Sequence, residues 1–217
     1  MALLIFDLDG TLIDSRLDLA HSVNATRSHA GLGPLPHELI FSYVGEGAPV
    51  LIRRAMGRGA NETEVARALD FFLDYYRNHA LDYTVLYPGV RQSLERLHGA
   101  GEKLAVLTNK PVRISYLVMD GLGLKHLFFR IYGGNSFEFK KPHRIGIDTL
   151  RIEAGASAGE TWMVGDSFVD VLTARNAGVA SCGVAWGFQP ETFAEYPPDL
   201  LVERMEDFAD RFTQPRP

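Results

Sequence analysis

Two aspartates, Asp7 and Asp9, stand at the end of a short apolar run and are followed by Gly10. This order predicts a buried strand that ends in a loop with two carboxylates at its tip. A carboxylate can attack phosphorus as a nucleophile, and a second one beside it can donate and later accept a proton. We therefore interpret Asp7 as a candidate nucleophile and Asp9 as its acid/base partner.

A second pair of acids, Asp166 and Asp170, follows a later apolar run. Crowded carboxylates repel one another and any anionic substrate, so a bound cation would make such a cluster tolerable. Mg²⁺ suits a sparse oxygen site, because it keeps several waters and takes a substrate phosphate as a ligand. We predict a Mg²⁺ site that uses Asp7 and Asp166 from different strands.

A phosphate group could dock near Thr108 and Asn109, which precede Pro111. Proline is favoured at the start of a helix, and the free backbone N–H groups of a helix N-terminus attract anions. A hydroxyl, an amide and these N–H groups would then converge on one phosphate. Lys141, directly before Pro142, would add a positive charge.

Six short apolar runs predict the strands that must position these side chains. They span residues 3–6, 104–107, 131–132, 163–164, 181–185 and 200–202. Apolar residues at helical spacing lie between most of the runs, and strands that alternate with helices predict a doubly wound, parallel, Rossmann-like α/β sheet. Ligands of such sheets bind beyond the carboxyl ends of the strands, where the candidate residues stand.

Residues 15–83 interrupt this alternation, because they show helical patterns and no convincing strand. One apolar face repeats through Leu19, Val23, Thr26 and Ala30, and another through Val65, Leu69, Phe72 and Tyr76. The second begins at Asn61 and Glu64, a candidate capping box. We predict an α-helical cap domain at 15–83, a core domain formed by 1–14 and 84–217, and hinges near 14–16 and 83–88.

Composition excludes several classes of protein. The 217 residues carry a net charge of -5, and their charge pattern shows no basic face, which disfavours nucleic-acid binding. The N-terminal apolar run is short and leads straight into acids, so neither a signal peptide nor a membrane span is expected there. The single cysteine, Cys182, is expected to be a buried thiol. We expect a cytoplasmic protein, either a monomer or a homodimer.

The candidate residues fall into four motifs that resemble, in order, those of the haloacid dehalogenase superfamily. The motifs are residues 7–11, 107–110, 141–142, and 165–167 with Asp170. The resemblance implies Asp7 as nucleophile and metal ligand, Asp9 as acid/base and backbone metal ligand, and Asp166 as metal ligand. Asp170 would be a supporting acid. Phosphate or substrate contacts are implied for Gly10, Thr11, Thr108, Asn109 and Lys141, the last also as a catalytic residue.

Shorter stretches resemble the bacterial phosphoglycolate phosphatases in particular. Among them are residues 43–47, 87–90, 140–143 and 185–187. Within the first, we interpret Gly45, Glu46 and Gly47 as a cap loop that faces the substrate. Two residues depart from the usual pattern: Arg144 stands where a second proline is common, and Asn135 where an aspartate is common. Neither replaces a motif residue, so we expect phosphatase chemistry to be retained.

We therefore expect a Mg²⁺-dependent phosphatase of a small phosphorylated metabolite, with 2-phosphoglycolate as the favoured substrate. Pyrophosphatases and sugar or nucleotide phosphatases share most of the motifs, and a phosphomutase needs the same acids. The dehalogenase reaction is disfavoured, because it has no use for the acid/base at Asp9. A binding protein that does not catalyse a reaction is a further alternative, although no motif residue is missing.

Overall fold

An open parallel sheet forms the centre of the molecule in the computed structural model, which describes residues 1–213. The strands are β1 (Leu3–Phe6), β2 (Ile13–Asp14), β3 (Val85–Leu86), β4 (Lys103–Leu107), β5 (Arg130–Tyr132), β6 (Thr161–Gly165), β7 (Ala180–Val184) and β8 (Leu200–Val202). Six of them form the main sheet in the order β5-β4-β1-β6-β7-β8, and each neighbouring pair is parallel. The doubly wound α/β fold predicted from the apolar runs is confirmed.

Helices follow most of the strands and fill the interval between β2 and β3. They are α1 (Arg16–His29), α2 (His37–Phe41), α3 (Ala48–Met56), α4 (Glu62–His79), α5 (Val90–Gly99), α6 (Val112–Gly121), α7 (Ile145–Ala154), α8 (Phe168–Ala177) and α9 (Met205–Thr213). Short 3₁₀ turns lie at Lys125–Leu127, Ala158–Glu160 and Pro190–Ala194. In the described part of the chain, no helix combines the length and the apolar character that a membrane span requires.

Strand β1 is apolar throughout because both of its faces are covered. Leu3 and Ile5 belong to a core cluster on one face, which α7 and α8 supply with residues such as Ile147. Leu4 and Phe6 belong to a larger cluster on the other face, where the ring of Phe6 meets Phe208 of α9 edge to face at 6.0 Å. A strand covered on both sides loses the apolar–polar alternation of a half-exposed one. This burial fixes the position of β1 and therefore that of Asp7, the residue directly after it.

Helices α1 to α4 form the predicted helical insertion. Its capping box is present: Asn61 Oδ1 accepts a hydrogen bond from the Glu64 N–H at 3.0 Å, and Glu64 Oε2 accepts one from the Asn61 N–H at 2.8 Å. Phe72 and Tyr76 of α4 are buried, as their spacing predicts. Ala30 differs from its prediction, because α1 ends at His29 and leaves Ala30 exposed.

A two-stranded ribbon joins the two ends of the insertion. Strands β2 and β3 pair antiparallel, with Ile13 opposite Leu86. The carboxylate of Asp18 in α1 accepts hydrogen bonds from the backbone N–H groups of Tyr83 and Thr84 at 2.8–3.1 Å. The ribbon lies at the predicted hinges but was not itself predicted, since two-residue strands carry no readable alternation. The division into core and cap stays a prediction.

Candidate active site

Three carboxylates meet at the carboxyl edge of the sheet. Asp7 follows β1 and Asp166 follows β6, and these adjacent strands are tied by the Asp7 N–H, which donates to the Val164 carbonyl at 2.9 Å. Asp170 reaches the same point from the first turn of α8. One carboxylate oxygen from each of the three lies within 4.8 Å of the others. The register of two parallel strands thus brings together acids that are far apart in sequence.

Burial makes this acidic cluster electrostatically costly. It raises the pKa of Asp7 to about 6, against the opposing positive charge of Lys141. Burial also raises the pKa of Asp166 well above its usual range, and the negative charges of Asp170 and Asp7 raise it further. A cation among these oxygens would offset both effects.

The atoms of the cluster fit a hard metal ion such as Mg²⁺. Asp7 Oδ1 is buried and lies 3.0 Å from Lys141 Nζ, but it accepts no well-aligned hydrogen bond from the described residues, so this hard oxygen suits a metal ion. Asp166 and Asp7 would hold the ion. Both oxygens of Asp170 are engaged: Oδ1 by Lys141 Nζ at 2.6 Å, and Oδ2 by the Ser167 hydroxyl at 3.1 Å. That arrangement favours a supporting role for Asp170.

Lys141 is the cation embedded in the acidic cluster. Its side chain is only 2% exposed, and Nζ lies 3.0 Å from Asp7 Oδ1 as well as 2.6 Å from Asp170 Oδ1. Burial alone would lower the pKa of Lys141, but the charges of Asp170 and Asp7 raise it above its usual value. The neighbouring Lys140 points elsewhere and donates to the Glu46 carbonyl. The structure therefore separates two adjacent lysines into different environments.

Two glycines leave the space that Asp166 occupies. An added Cβ at Gly10, whose φ is +81°, or at Gly187 would overlap the Asp166 side chain. Beyond Gly187, the backbone N–H of Phe188 donates to Asp166 Oδ2 at 2.6 Å. This second loop was missed as part of the site. Its signal was the Trp186-Gly187 pair after a predicted strand, read only as a family resemblance.

Gly187→Ala is expected to destabilise the fold by about 1–3 kcal/mol, the typical cost of forcing extra volume into a packed site. The added Cβ would overlap Asp166 and approach the Gly10 carbonyl oxygen at 2.7 Å. Thermal unfolding of the metal-free protein measures the change. Gly33→Ala is the matched control, because a Cβ there meets nothing within 4 Å. Equal melting temperatures for the two variants would contradict the packing described here.

Thr108 and Asn109 follow β4, the strand beside β1. The Thr108 hydroxyl hydrogen-bonds to Asp7, and Asn109 Nδ2 donates to the carbonyl groups of Lys141 and Gly45 at 3.1 and 3.0 Å. Helix α6 begins one residue later than Pro111 implied. The first of its N–H groups, on Val112, donates to Asn135 Oδ1 at 2.9 Å.

That contact gives Asn135, one of the two departures from the family pattern, a structural role at the start of α6. It also means that one N–H group expected to be free for phosphate is already occupied.

Asp9 faces a cation that sequence reasoning missed as a functional residue. Lys110 Nζ lies 2.8 and 3.1 Å from the two carboxylate oxygens of Asp9, and the Ser15 hydroxyl donates to Oδ1 at 2.5 Å. The Lys110 side chain is 2% exposed. Its position directly after Thr108 and Asn109, at the end of a strand, was the available signal. Asp9 therefore has a different cationic neighbour from Asp7.

Three core side chains hold three successive carbonyl groups of the cap loop. Gln189 Nε2 donates to the Val44 carbonyl at 2.9 Å, Asn109 Nδ2 to that of Gly45, and Lys140 Nζ to that of Glu46. We call these three contacts the cap latch. Its donors come from separate core loops, so they tie the insertion to the core across the cleft.

The cleft between insertion and core encloses about 590 Å³, part of it open to solvent. Its floor includes Asp7, Asp9, Thr108, Asn109, Lys110 and Asp166, and its cap side includes Leu19, Val44, Gly45, Gly47, Ala48, Leu51, Phe72 and Tyr76. Glu46 does not line it, and its carboxylate pairs with Arg54 at 2.5 Å.

Gly10 and Thr11, predicted as substrate contacts, do not line the cleft either, and their N–H groups donate to carbonyl groups within their own loop. Those assignments stay predictions.

The sequence model of the haloacid dehalogenase-like hydrolases matches residues 4–184. The chain belongs to this family. Its similarity to curated relatives covers both the sheet and the helical insertion. It is 39% identical over 212 residues to the phosphoglycolate phosphatase of Agrobacterium fabrum, covering 95% of this chain and 89% of the relative. Identity to the phosphoglycolate phosphatase of Haemophilus influenzae is 38%, covering 96% and 95% of the two chains.

Solved structures agree with this membership in the haloacid dehalogenase-like hydrolases. A crystal structure described as a predicted phosphoglycolate phosphatase from Haemophilus somnus superposes with a TM-score of 0.92 at 32% identity, covering 99% of this chain and 98% of the other. A similar protein from Lactobacillus delbrueckii gives 0.89 at 26% identity, over 98% and 99% of the two chains. Because coverage is nearly complete on both sides, the helical insertion is part of the shared architecture.

Proposed function

We propose that this hydrolase is a Mg²⁺-dependent phosphatase that acts on a small phosphorylated metabolite through an aspartyl-phosphate on Asp7, with 2-phosphoglycolate as substrate. The observation that carries the proposal is the placement of Asp7 beside the buried charge of Lys141 and within a cluster of carboxylate oxygens, shared with Asp166 and Asp170, that suits a metal ion. The substrate is inferred from the curated relatives that carry this name.

In the first half of the reaction, a carboxylate oxygen of Asp7 attacks the phosphorus atom. The bond from phosphorus to the ester oxygen breaks, its electron pair stays on that oxygen, and Asp9 supplies the proton. Lys141 holds the attacking carboxylate and adds positive charge beside the transferred group. Bound Mg²⁺ would neutralise negative charge on the carboxylates and the phosphate.

In the second half, a water molecule attacks the phosphorus of the acyl phosphate while Asp9 takes its proton. The bond between phosphorus and the Asp7 oxygen breaks, which releases inorganic phosphate and restores both carboxyl groups. The acid that served the leaving group thus becomes the base that activates water. For these two roles, Asp9 must face the cleft and must not share Lys141 with Asp7. Lys110 and Ser15 contact Asp9 instead.

We also propose that residues 15–83 act as a cap over this site, in a protein of the cytoplasm. The cap latch joins the loop at 44–46 to the core, and the cap side of the cleft is largely apolar. Closure over the site would exclude bulk water from a reaction that uses a single water molecule.

Metal removal is the direct test. With Mg²⁺, the purified protein is expected to release inorganic phosphate from 2-phosphoglycolate with a higher kcat/KM than from pyrophosphate or sugar and nucleotide phosphates. EDTA should abolish release, and added Mg²⁺ should restore it, because Lys141 alone cannot offset the combined negative charge of the buried acids and the substrate phosphate. Phosphate assays across this panel measure both effects. Full activity in EDTA would overturn the metal requirement, and an isomerised sugar phosphate would indicate a mutase.

A further inference from the structure

Lys110 lies between Asp9 and a residue of the helical insertion. Its Nζ contacts both carboxylate oxygens of Asp9, donates to the Tyr76 hydroxyl and sits 4.5 Å from the centre of the Tyr76 ring. Tyr76 belongs to α4 and is 1% exposed, so this contact is buried at the wall of the cleft. Burial alone would lower the pKa of Lys110, but Asp9 and Tyr76 raise it above its usual value. Lys110 therefore joins Asp9 to Tyr76 through a buried ion pair and a hydrogen bond.

The insertion holds Asp9 from both of its ends. Ser15, the residue before α1, donates directly to Asp9 Oδ1, whereas Tyr76, near the end of α4, acts through Lys110. Oδ1 thus receives two donors at 2.5 and 2.8 Å, and Oδ2 receives one at 3.1 Å. The less engaged Oδ2 is the oxygen available to exchange a proton with the substrate.

We propose that Tyr76 and Lys110 are positioning residues for Asp9, which make the orientation of the acid/base depend on the cap. The inference rests on the proposed function, because it assigns a task to the acid/base of that reaction. General acids work only within hydrogen-bond reach of the leaving oxygen, and a misplacement of about 1 Å can cost about 100-fold in rate. Because the Tyr76 hydroxyl contacts Lys110, the Asp9 carboxylate is correctly oriented only when α4 is packed against the core.

The dependence of kcat/KM on the leaving group distinguishes a positioning role from a purely structural one. An alkyl phosphate has a poor leaving group that needs a proton, whereas p-nitrophenyl phosphate has a good one that does not. The value of kcat/KM covers the steps up to departure of the leaving group, so later hydrolysis of the acyl phosphate does not obscure it. Ethyl phosphate adds a needed control, because it is an alkyl ester without the carboxylate of 2-phosphoglycolate.

Tyr76→Phe removes only the hydroxyl group and retains the buried ring. We expect kcat/KM to fall about 10-fold for 2-phosphoglycolate and for ethyl phosphate, and to change less than about twofold for p-nitrophenyl phosphate. Tyr75→Phe is the matched control, since Tyr75 lies on the same helix but stacks on His79 instead. It should leave all three substrates unaffected.

Lys110→Met should give the same pattern with a larger loss, about 100-fold for the two alkyl esters, and Lys110→Arg should recover part of it. Should Lys110→Met fail to fold, Tyr76→Phe still decides the matter. Equal losses on all three substrates would overturn the proposal in favour of a structural role. A loss confined to 2-phosphoglycolate would overturn it in favour of carboxylate binding by Lys110. If the unmodified protein released no phosphate from any substrate, the proposed function itself would fail.

Discussion

Asp7→Asn is expected to lower phosphate release from 2-phosphoglycolate by about 10⁴-fold or more, since an amide cannot form the acyl phosphate and loss of a nucleophile removes the main route. Steady-state phosphate assays give the magnitude. Mass spectrometry of acid-quenched protein should find a phosphoryl group on the peptide that contains Asp7 in the unmodified protein, and none there in the variant.

The same substitution should leave the fold intact. Burial raises the pKa of Asp7 to about 6, so ionising it at pH 7 costs more in the folded metal-free protein than in the unfolded chain, and a neutral amide removes that cost. We expect a melting temperature in EDTA equal to or above that of the unmodified protein. Retained activity in Asp7→Asn would disprove the nucleophile assignment. Unfolding of the variant would contradict the electrostatic description of the cluster.

Lys141→Met is expected to abolish activity and to destabilise the fold as well. It removes the cation that contacts Asp7 and Asp170, and breaking a buried ion pair from one side typically costs about 3–5 kcal/mol. Denaturant unfolding in EDTA measures this loss. Mg²⁺ should raise the melting temperature of the variant more than that of the unmodified protein, because the ion then supplies the only counter-charge at the cluster.

Lys140→Met is the matched control for this result. The two lysines are adjacent, but Lys140 contacts a cap carbonyl and the buried acids contact Lys141. We expect the control to lose less than about 1 kcal/mol, the typical net value of a single hydrogen bond. Similar stability losses in the two variants, or a variant of Lys141 that is insensitive to Mg²⁺, would refute the assignment of Lys141 as the internal counter-ion.

The sheet and its acidic edge could be predicted because they depend on strong local signals. Continuous burial of β1 on both faces required an apolar run, and the carboxyl ends of parallel strands must share one edge, so Asp7 and Asp166 were expected to meet. The capping box at Asn61 is likewise a local pattern of side chain and backbone. Each of these features is fixed by residues close together in the chain or by the geometry of the sheet.

The contacts between insertion and core could not be predicted in the same way. Tyr76 and Lys110 are 34 positions apart and lie in different parts of the fold, so nothing in either sequence context marks their contact. Tyr76 fitted the pattern of a helical core residue, and its buried ring satisfies that pattern completely. Gln189 was missed because its partner is a main-chain carbonyl, which every residue possesses.

The cap latch separates the attachment of the cap loop to the core from the shape of the cleft wall, so natural selection can alter the second without the first. Val44 is held through its carbonyl oxygen, so a substitution at this position leaves the acceptor in place. A substitution of Val44, which lines the cleft, can therefore reshape its wall while the attachment to the core survives. Related enzymes can therefore change their preference among small phosphoesters without first evolving new contacts between cap and core.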